Sequence, residues 1–211
     1  MSSDGGAWLG MLVPSVDGAP LCTERARRGL SATVQLRGSR HVLRRLHLVS
    51  STIQRMTDWR TDRIGSALRG ENPTVMARLP GSIAVIGDVQ WLPGYCVLLS
   101  EDPSVQRLSD LAREERLAFL DSMASLGEAV EQACRELDPA FRRVNLEILG
   151  NTDPFLHAHV WPRYDWEPSE IVGRPVWLYP AENWSDPTTQ LSSKHDTLRK
   201  MITERLEANR P

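Results

Sequence analysis

Two of the five histidines of this 211-residue chain stand two apart in the run FLHAHVWPRY (155–164). The run alternates: Leu156, Ala158 and Val160 fall on one side of an extended strand, Phe155, His157, His159 and Trp161 on the other. Period-two geometry puts the two imidazoles on one face about 7 Å apart, twice the strand rise. Such a pair can be structural, each ring satisfied by its surroundings. It can bind a metal, which needs a third and a fourth ligand. It can also attack phosphorus: imidazole titrates near neutrality, is nucleophilic when neutral, and can split one displacement into two through a covalent phosphoramidate. The second ring then donates hydrogen bonds to phosphate oxygens or to the leaving group.

The metal reading lacks a ligand set. Asp153, Glu147 and His195 are available, but none sits at a recognisable ligand spacing, and the three cysteines (Cys22, Cys96, Cys134) are far apart. No metal site is expected. His195 reads as a surface or helix-capping residue, and His41 and His47 as incidental.

The elements that must position the pair are legible around it. VNLEILG (144–150) also alternates, with Asn145 and Glu147 on one side. With only a short loop, NTDP (151–154), before the histidine run, the two strands should pair antiparallel and share those faces. SIAVIGD (82–88) is an apolar strand ending at Gly87-Asp88. QWLPGYCVLLS (90–100) reads as a second, bent at Pro93-Gly94 and paired with the first. Residues 108–137 carry the strongest helical period, with Leu117, Leu120, Met123, Leu126, Val130, Cys134 and Leu137 as its apolar stripe. Residues 56–79 read as a lead-in followed by a short helix, Asn72 as its cap and Pro73 in its first turn. Residues 196–210 form a C-terminal helix. Strand, strand, long helix, strand, strand predicts an α+β fold with a mostly antiparallel sheet. There is no regular βαβ alternation and no glycine-rich phosphate loop.

Composition restricts the function. The chain is 41% hydrophobic and 25% charged with net charge −2, and no window approaches the roughly 18 apolar residues of a membrane span. Residues 1–55 hold eight arginines and no lysine against three acidic residues, and the other 156 residues carry 17 basic against 24 acidic groups. The acidic body argues against broad nucleic-acid binding. Few, scattered cysteines point to a reducing cytoplasm. Residues 1–55 read as a separate segment. It is a disordered extension, an arginine-rich targeting peptide, or sequence upstream of a true start at Met56. A short amphipathic helix is expected over 41–56. Residues 165–187 hold Trp166, Trp177 and Trp184 among several prolines; they either anchor a long irregular segment or wall a site.

FLHAHVWPRY resembles the active-site strand of the histidine triad family, whose pattern is His-φ-His-φ-His-φ-φ with φ apolar. Members similar to bacterial diadenosine polyphosphate hydrolases continue into Pro-Arg. The resemblance covers about 80–164, within a domain of 56–211 ending in a helical and irregular extension. It implies that His157 attacks an α-phosphorus and becomes nucleotidylated, and that His159 contacts phosphate. It implies that Asp88 binds the ribose hydroxyls and that Asn145, Asn151 and Thr152 border the phosphate, each otherwise a turn or surface residue. Arg163, the nearest cation, either contacts phosphate or pairs with Glu167 or Asp165. The substrate implied is a diadenosine polyphosphate, a nucleoside phosphoramidate or a similar nucleotide. Mg²⁺ would come only with the nucleotide, and a homodimer would use the long helix. Two departures stand out: Phe155 replaces the first histidine, and LLSEDPSV (98–105) is acidic where the family often carries a Pro-Lys-x-x-His-like segment. Both keep open a binding protein without turnover.

Overall fold

The structure, a computed structural model, describes residues 58–208. The readings made for residues 1–55 and for a helix over 41–56 lie outside those residues. Five strands form one antiparallel sheet: β1 (Val75–Leu79), β2 (Ser82–Ile86), β3 (Cys96–Ser100), β4 (Phe141–Glu147) and β5 (His157–Tyr164), in the order β1-β2-β3-β5-β4. The α+β expectation stands.

β1 was not expected. The Asn72 side-chain oxygen accepts from the Thr74 backbone N (2.9 Å) and hydroxyl (2.6 Å), which makes a turn at Asn72-Pro73 and not a helix cap. The chain then runs extended through VMARL and turns at Pro80-Gly81, where Gly81 takes φ +64°. The short helix lies earlier, as α1 (Arg63–Leu68), capped by Asp62, whose carboxylate accepts from Gly65 N at 3.0 Å. β3 also begins later than its apolar run suggests. Gln90 ties residues 87–95 into a loop, donating to the Gly87 and Tyr95 carbonyls and accepting from Gly94 N. Gly94 sits there at φ +94°.

The long helix is α2 (Arg113–Leu137), with Glu114 and Glu115 at its positive N-terminal end. It packs on β3, β5 and β4 through Phe119, Met123, Leu126, Val130 and Ala133. Each such large side chain contributes about 1.5–3 kcal/mol on burial. Leu117, Leu120 and Leu137, expected on that stripe, are exposed. The buried face is rotated past them, and Leu146 of edge strand β4 lies over Gly127.

The opposite face of the sheet carries the histidines and has two separate covers. Over β2 and β3, Ile64 and Ala67 of α1 pack on Ile83, Val85 and Leu99. Over β5 lies the C-terminal segment, with Val176, Trp177, Tyr179 and the short α3 (Glu182–Ser185) bearing Trp184. β5 is buried along its whole length for this reason. α4 (Asp196–Ala208) closes the chain against α2 and β1 through Leu198, Ile202 and Leu206. Among the described residues no helix is long and apolar enough to cross a membrane.

Candidate nucleotide site

β5 pairs with β3 and β4 so that Leu99 faces His157, Val97 faces His159, and Glu147 is opposite His159 with Asn145 opposite Trp161. The predicted sharing of one face by both histidines, Asn145 and Glu147 is what the register gives. Beside α1 the face holds a narrow cleft of about 40 Å³, lined by Val85, Val97, Leu99, Phe155 and both histidines. A second, larger cleft of about 350 Å³ lies on the other side of His157, bordered by Gln106, Arg107, Gly150 and Asp153. His157 and Asp153 line both clefts.

His157 is 3% exposed, and its Nδ1 lies 2.9 Å from the Phe155 carbonyl oxygen. A carbonyl only accepts, so Nδ1 carries the proton and Nε2 keeps its lone pair. The group that fixes this tautomer is main chain, so a phenylalanine at 155 performs it as a histidine would. The Phe155 ring packs into the small apolar cluster beneath α1.

His159 is 1% exposed. Its Nδ1 is 2.8 Å from the Tyr95 hydroxyl, and its ring stacks in line with Trp161 and meets Trp177 edge-on at 4.8 Å. Trp177 Nε1 donates to Glu147 at 2.9 Å, which anchors this cover. Burial pushes the His159 pKa down to about 3, with His157 acting in the same direction. Folded His159 is therefore neutral where an unfolded histidine, at 6.5, would already bind a proton. Its contribution is full above pH 6.5 and is lost as pH falls towards 3, by about 1.4 kcal/mol per unit. The urea midpoint should drop with pH over that window more steeply in the wild type than in His159→Gln. Equal slopes would assign acid sensitivity to other groups.

Asp88 follows β2 by two residues and lines the first cleft, in an unforeseen pairing. Arg63, the first residue of α1, grips it through both terminal nitrogens (3.2 and 2.8 Å), and Arg60 lies 3.7 Å away. Burial alone would lower the Arg63 pKa; the bond to Asp88 and the charges of Asp88 and Asp153 raise it net. The pair leaves Asp88 oxygen lone pairs for further donors.

Arg163 lines neither cleft. Its side chain is buried under the C-terminal cover, with Nε 3.0 and 2.9 Å from the two Glu167 oxygens and a terminal nitrogen donating to the Val172 carbonyl (2.7 Å). Glu167 also accepts from Tyr164 N and from the Tyr179 hydroxyl, whose pKa burial and this bond push up to about 12. Pairing with Glu167 was one of the two readings for Arg163, and it is the one found. Asn145 is half-buried beside Trp161, while Asn151 and Thr152 are exposed; none of the three lines either cleft. Asp153 does so instead. His195 is buried, with Nδ1 accepting from Ser192 N in a capping turn. Among the described residues no three His, Cys, Asp or Glu side chains are grouped to hold a metal.

The sequence reading missed Arg63, Tyr95 and Arg107. Arg107, paired with Asp110, supplies a cation just beyond the acidic 98–105 stretch. Its signal was its place immediately after that stretch. Arg63 and Tyr95 gave none, because only the folded sheet brings them to the histidines.

No family model matches the chain, and no curated protein sequence matches it. Solved structures do. A histidine triad protein from Sinorhizobium meliloti superposes with TM-score 0.53 at 18% identity, over 71% of this chain and 96% of that one. One from Marinobacter aquaeolei gives 0.52 at 18% identity, over 64% and 88%. A hypothetical histidine triad nucleotide-binding protein from Sulfolobus tokodaii gives 0.50 at 12%, over 69% and 92%. The chain therefore has the histidine triad fold.

Proposed function

We propose that this chain is a histidine triad nucleotide hydrolase or nucleotidyl transferase that attacks the α-phosphorus of a diadenosine polyphosphate, a nucleoside phosphoramidate or a similar nucleotide. The observation that carries the reading is the lone-pair Nε2 of His157, held by the Phe155 carbonyl where two clefts meet. The base and sugar would lie across the mouth of the apolar first cleft, with Asp88, held in place by Arg63, accepting from the ribose hydroxyls. The leaving group would lie in the second cleft beside Arg107. Loop 150–154 would border the phosphate, with Asn151 and Thr152 on its exposed rim.

In the first step the Nε2 lone pair forms an N–P bond, and the bond from phosphorus to the leaving group breaks with its electron pair. The Phe155 carbonyl stabilises the positive imidazole through Nδ1–H. In the second step water or another acceptor attacks phosphorus, the N–P bond returns its pair to Nε2, and the acceptor releases its proton. Mg²⁺ enters only as a companion of the nucleotide. Exposed Leu120 of α2 and Leu146 of edge strand β4 suit a homodimer. Buried, unpaired Cys96 and Cys134 suit a reducing cytoplasm.

A second reading, nucleotide binding without turnover, draws on the Trp177 cover over His159 and on Phe155. Intact-protein mass measurement separates the two. After brief mixing with diadenosine tetraphosphate or adenosine phosphoramidate and alkaline quenching, an added adenylyl mass is expected on the wild type. Absence of both adduct and released AMP, across nucleotides that bind, would leave binding alone.

A further inference from the structure

We infer that Tyr95 is a positioning residue that fixes His159 in the Nε2–H tautomer, so that the two histidines present opposite faces: a lone pair from His157 and an N–H from His159. The inference deepens the proposed function and rests on it for its catalytic meaning, but its structural content stands alone.

The argument starts from what each partner can do. The Tyr95 hydroxyl and His159 Nδ1 are 2.8 Å apart, and both side chains are buried. Either the hydroxyl donates to Nδ1, or Nδ1–H donates to the hydroxyl oxygen. In the second case the phenol proton needs another acceptor, and His159 is the hydrogen-bond partner recorded for that hydroxyl. A buried donor without an acceptor costs about 1–3 kcal/mol. In the first case the phenol proton and the Nδ1 lone pair satisfy each other. Burial also keeps the phenol protonated, raising its pKa well above 10. The proton of neutral His159 then resides on Nε2.

The ring that delivers the hydroxyl is held hard. Tyr95 stacks on Trp161 at 3.6 Å between centroids and 4° between planes. Gly87 abuts its other surroundings so closely that a Cβ there would lie 2.2 Å from Tyr95 Cδ1. Gln90 and Gly94 fix the loop from which it springs. The hydroxyl therefore has one place to go. The consequence for chemistry is an N–H beside the nucleophile that carries no net charge. It can stabilise charge developing on phosphate oxygens without first costing a protonation.

The test is long-range ¹H–¹⁵N correlation of the histidine rings at pH 7.5, in the wild type and in Tyr95→Phe, with His159→Asn to assign the signals. His159 is expected as the Nε2–H tautomer in the wild type, and shifted towards Nδ1–H or a mixture in Tyr95→Phe. An Nδ1–H tautomer in the wild type overturns the inference without need of any variant, so a misfolded Tyr95→Phe cannot rescue it. An unchanged ratio in a folded Tyr95→Phe overturns it as well. With a turned-over nucleotide, kcat of Tyr95→Phe should fall at least about tenfold with KM within a few-fold, the pattern of an interaction made in the transition state. A wild type that turns over no nucleotide would refute the proposed function and leave the tautomer spectra to decide this point.

Discussion

Glu167→Ala should lose about 3–5 kcal/mol of folding free energy, the cost of leaving a buried guanidinium unpaired. Glu167 is fully buried and serves three donors: Arg163, the Tyr164 backbone N–H and the Tyr179 hydroxyl. Its removal strands all three under the C-terminal cover. A domain this size has about 5–15 kcal/mol in total, so the loss is a large share and should lower Tm by about 10 °C or more. Arg163→Met combined with Glu167→Leu should recover much of it, because neither charge is then left alone. Differential scanning calorimetry reads all three. A near-neutral Glu167→Ala would mean the pair is not what fastens the cover. Arg163→Met alone should fall in stability too, with adenylation in the folded fraction retained, since Arg163 faces its own carboxylate and not a phosphate.

The largest effect on turnover is expected at His157, and it should differ in kind from that at His159. Under the proposed mechanism His157→Ala removes the attacking atom, so both steps should fail; a loss of at least about 10⁴-fold is the scale seen for deleted nucleophiles. His159→Gln keeps a side-chain N–H donor but moves it, and should lose about 10²–10³-fold, the scale of one misplaced donor to developing charge. Adduct mass should vanish in the first and accumulate slowly in the second. Equal losses at the two positions, or an adduct on His157→Ala, would mean that the nucleophile has been misassigned. Nucleotide affinity should change far less than turnover in both.

Much of this was visible in the chain. The period-two run from Phe155 to Trp161 announced a strand with both histidines on one face, and its closeness to VNLEILG announced the pairing that sets Glu147 opposite His159. Both signals are local, and backbone periodicity reports local geometry directly. What was not visible is what the sheet brings from afar. Arg63 reaches Asp88 across 25 positions and Tyr95 reaches His159 across 64. Neither has a spacing to betray it. β1 was hidden because Asn72-Pro73 reads equally as a helix start and as a turn, and only the Thr74 contacts decide between them. Arg163 looked like an exposed strand-end cation because the cover above it, Val172 to Tyr179, has no regular period.

The C-terminal segment is also stitched to the loop that bears Asp88. Leu191 N donates to the Asp88 carbonyl at 2.8 Å, Gln90 N donates to Thr189 O at 2.6 Å, and Val89 bridges Gln190. A ribosome delivers Asp88 roughly a hundred residues before the segment that secures it, and the histidine strand comes between them. During synthesis the five strands can therefore all be delivered, with His157 beside Phe155, while the Asp88 loop is still unfastened. A nascent chain stalled before residue 186 would hold His157 without the contacts that tie down the Asp88 loop. The order of translation thus delivers the histidine strand first and the lock on the Asp88 loop last.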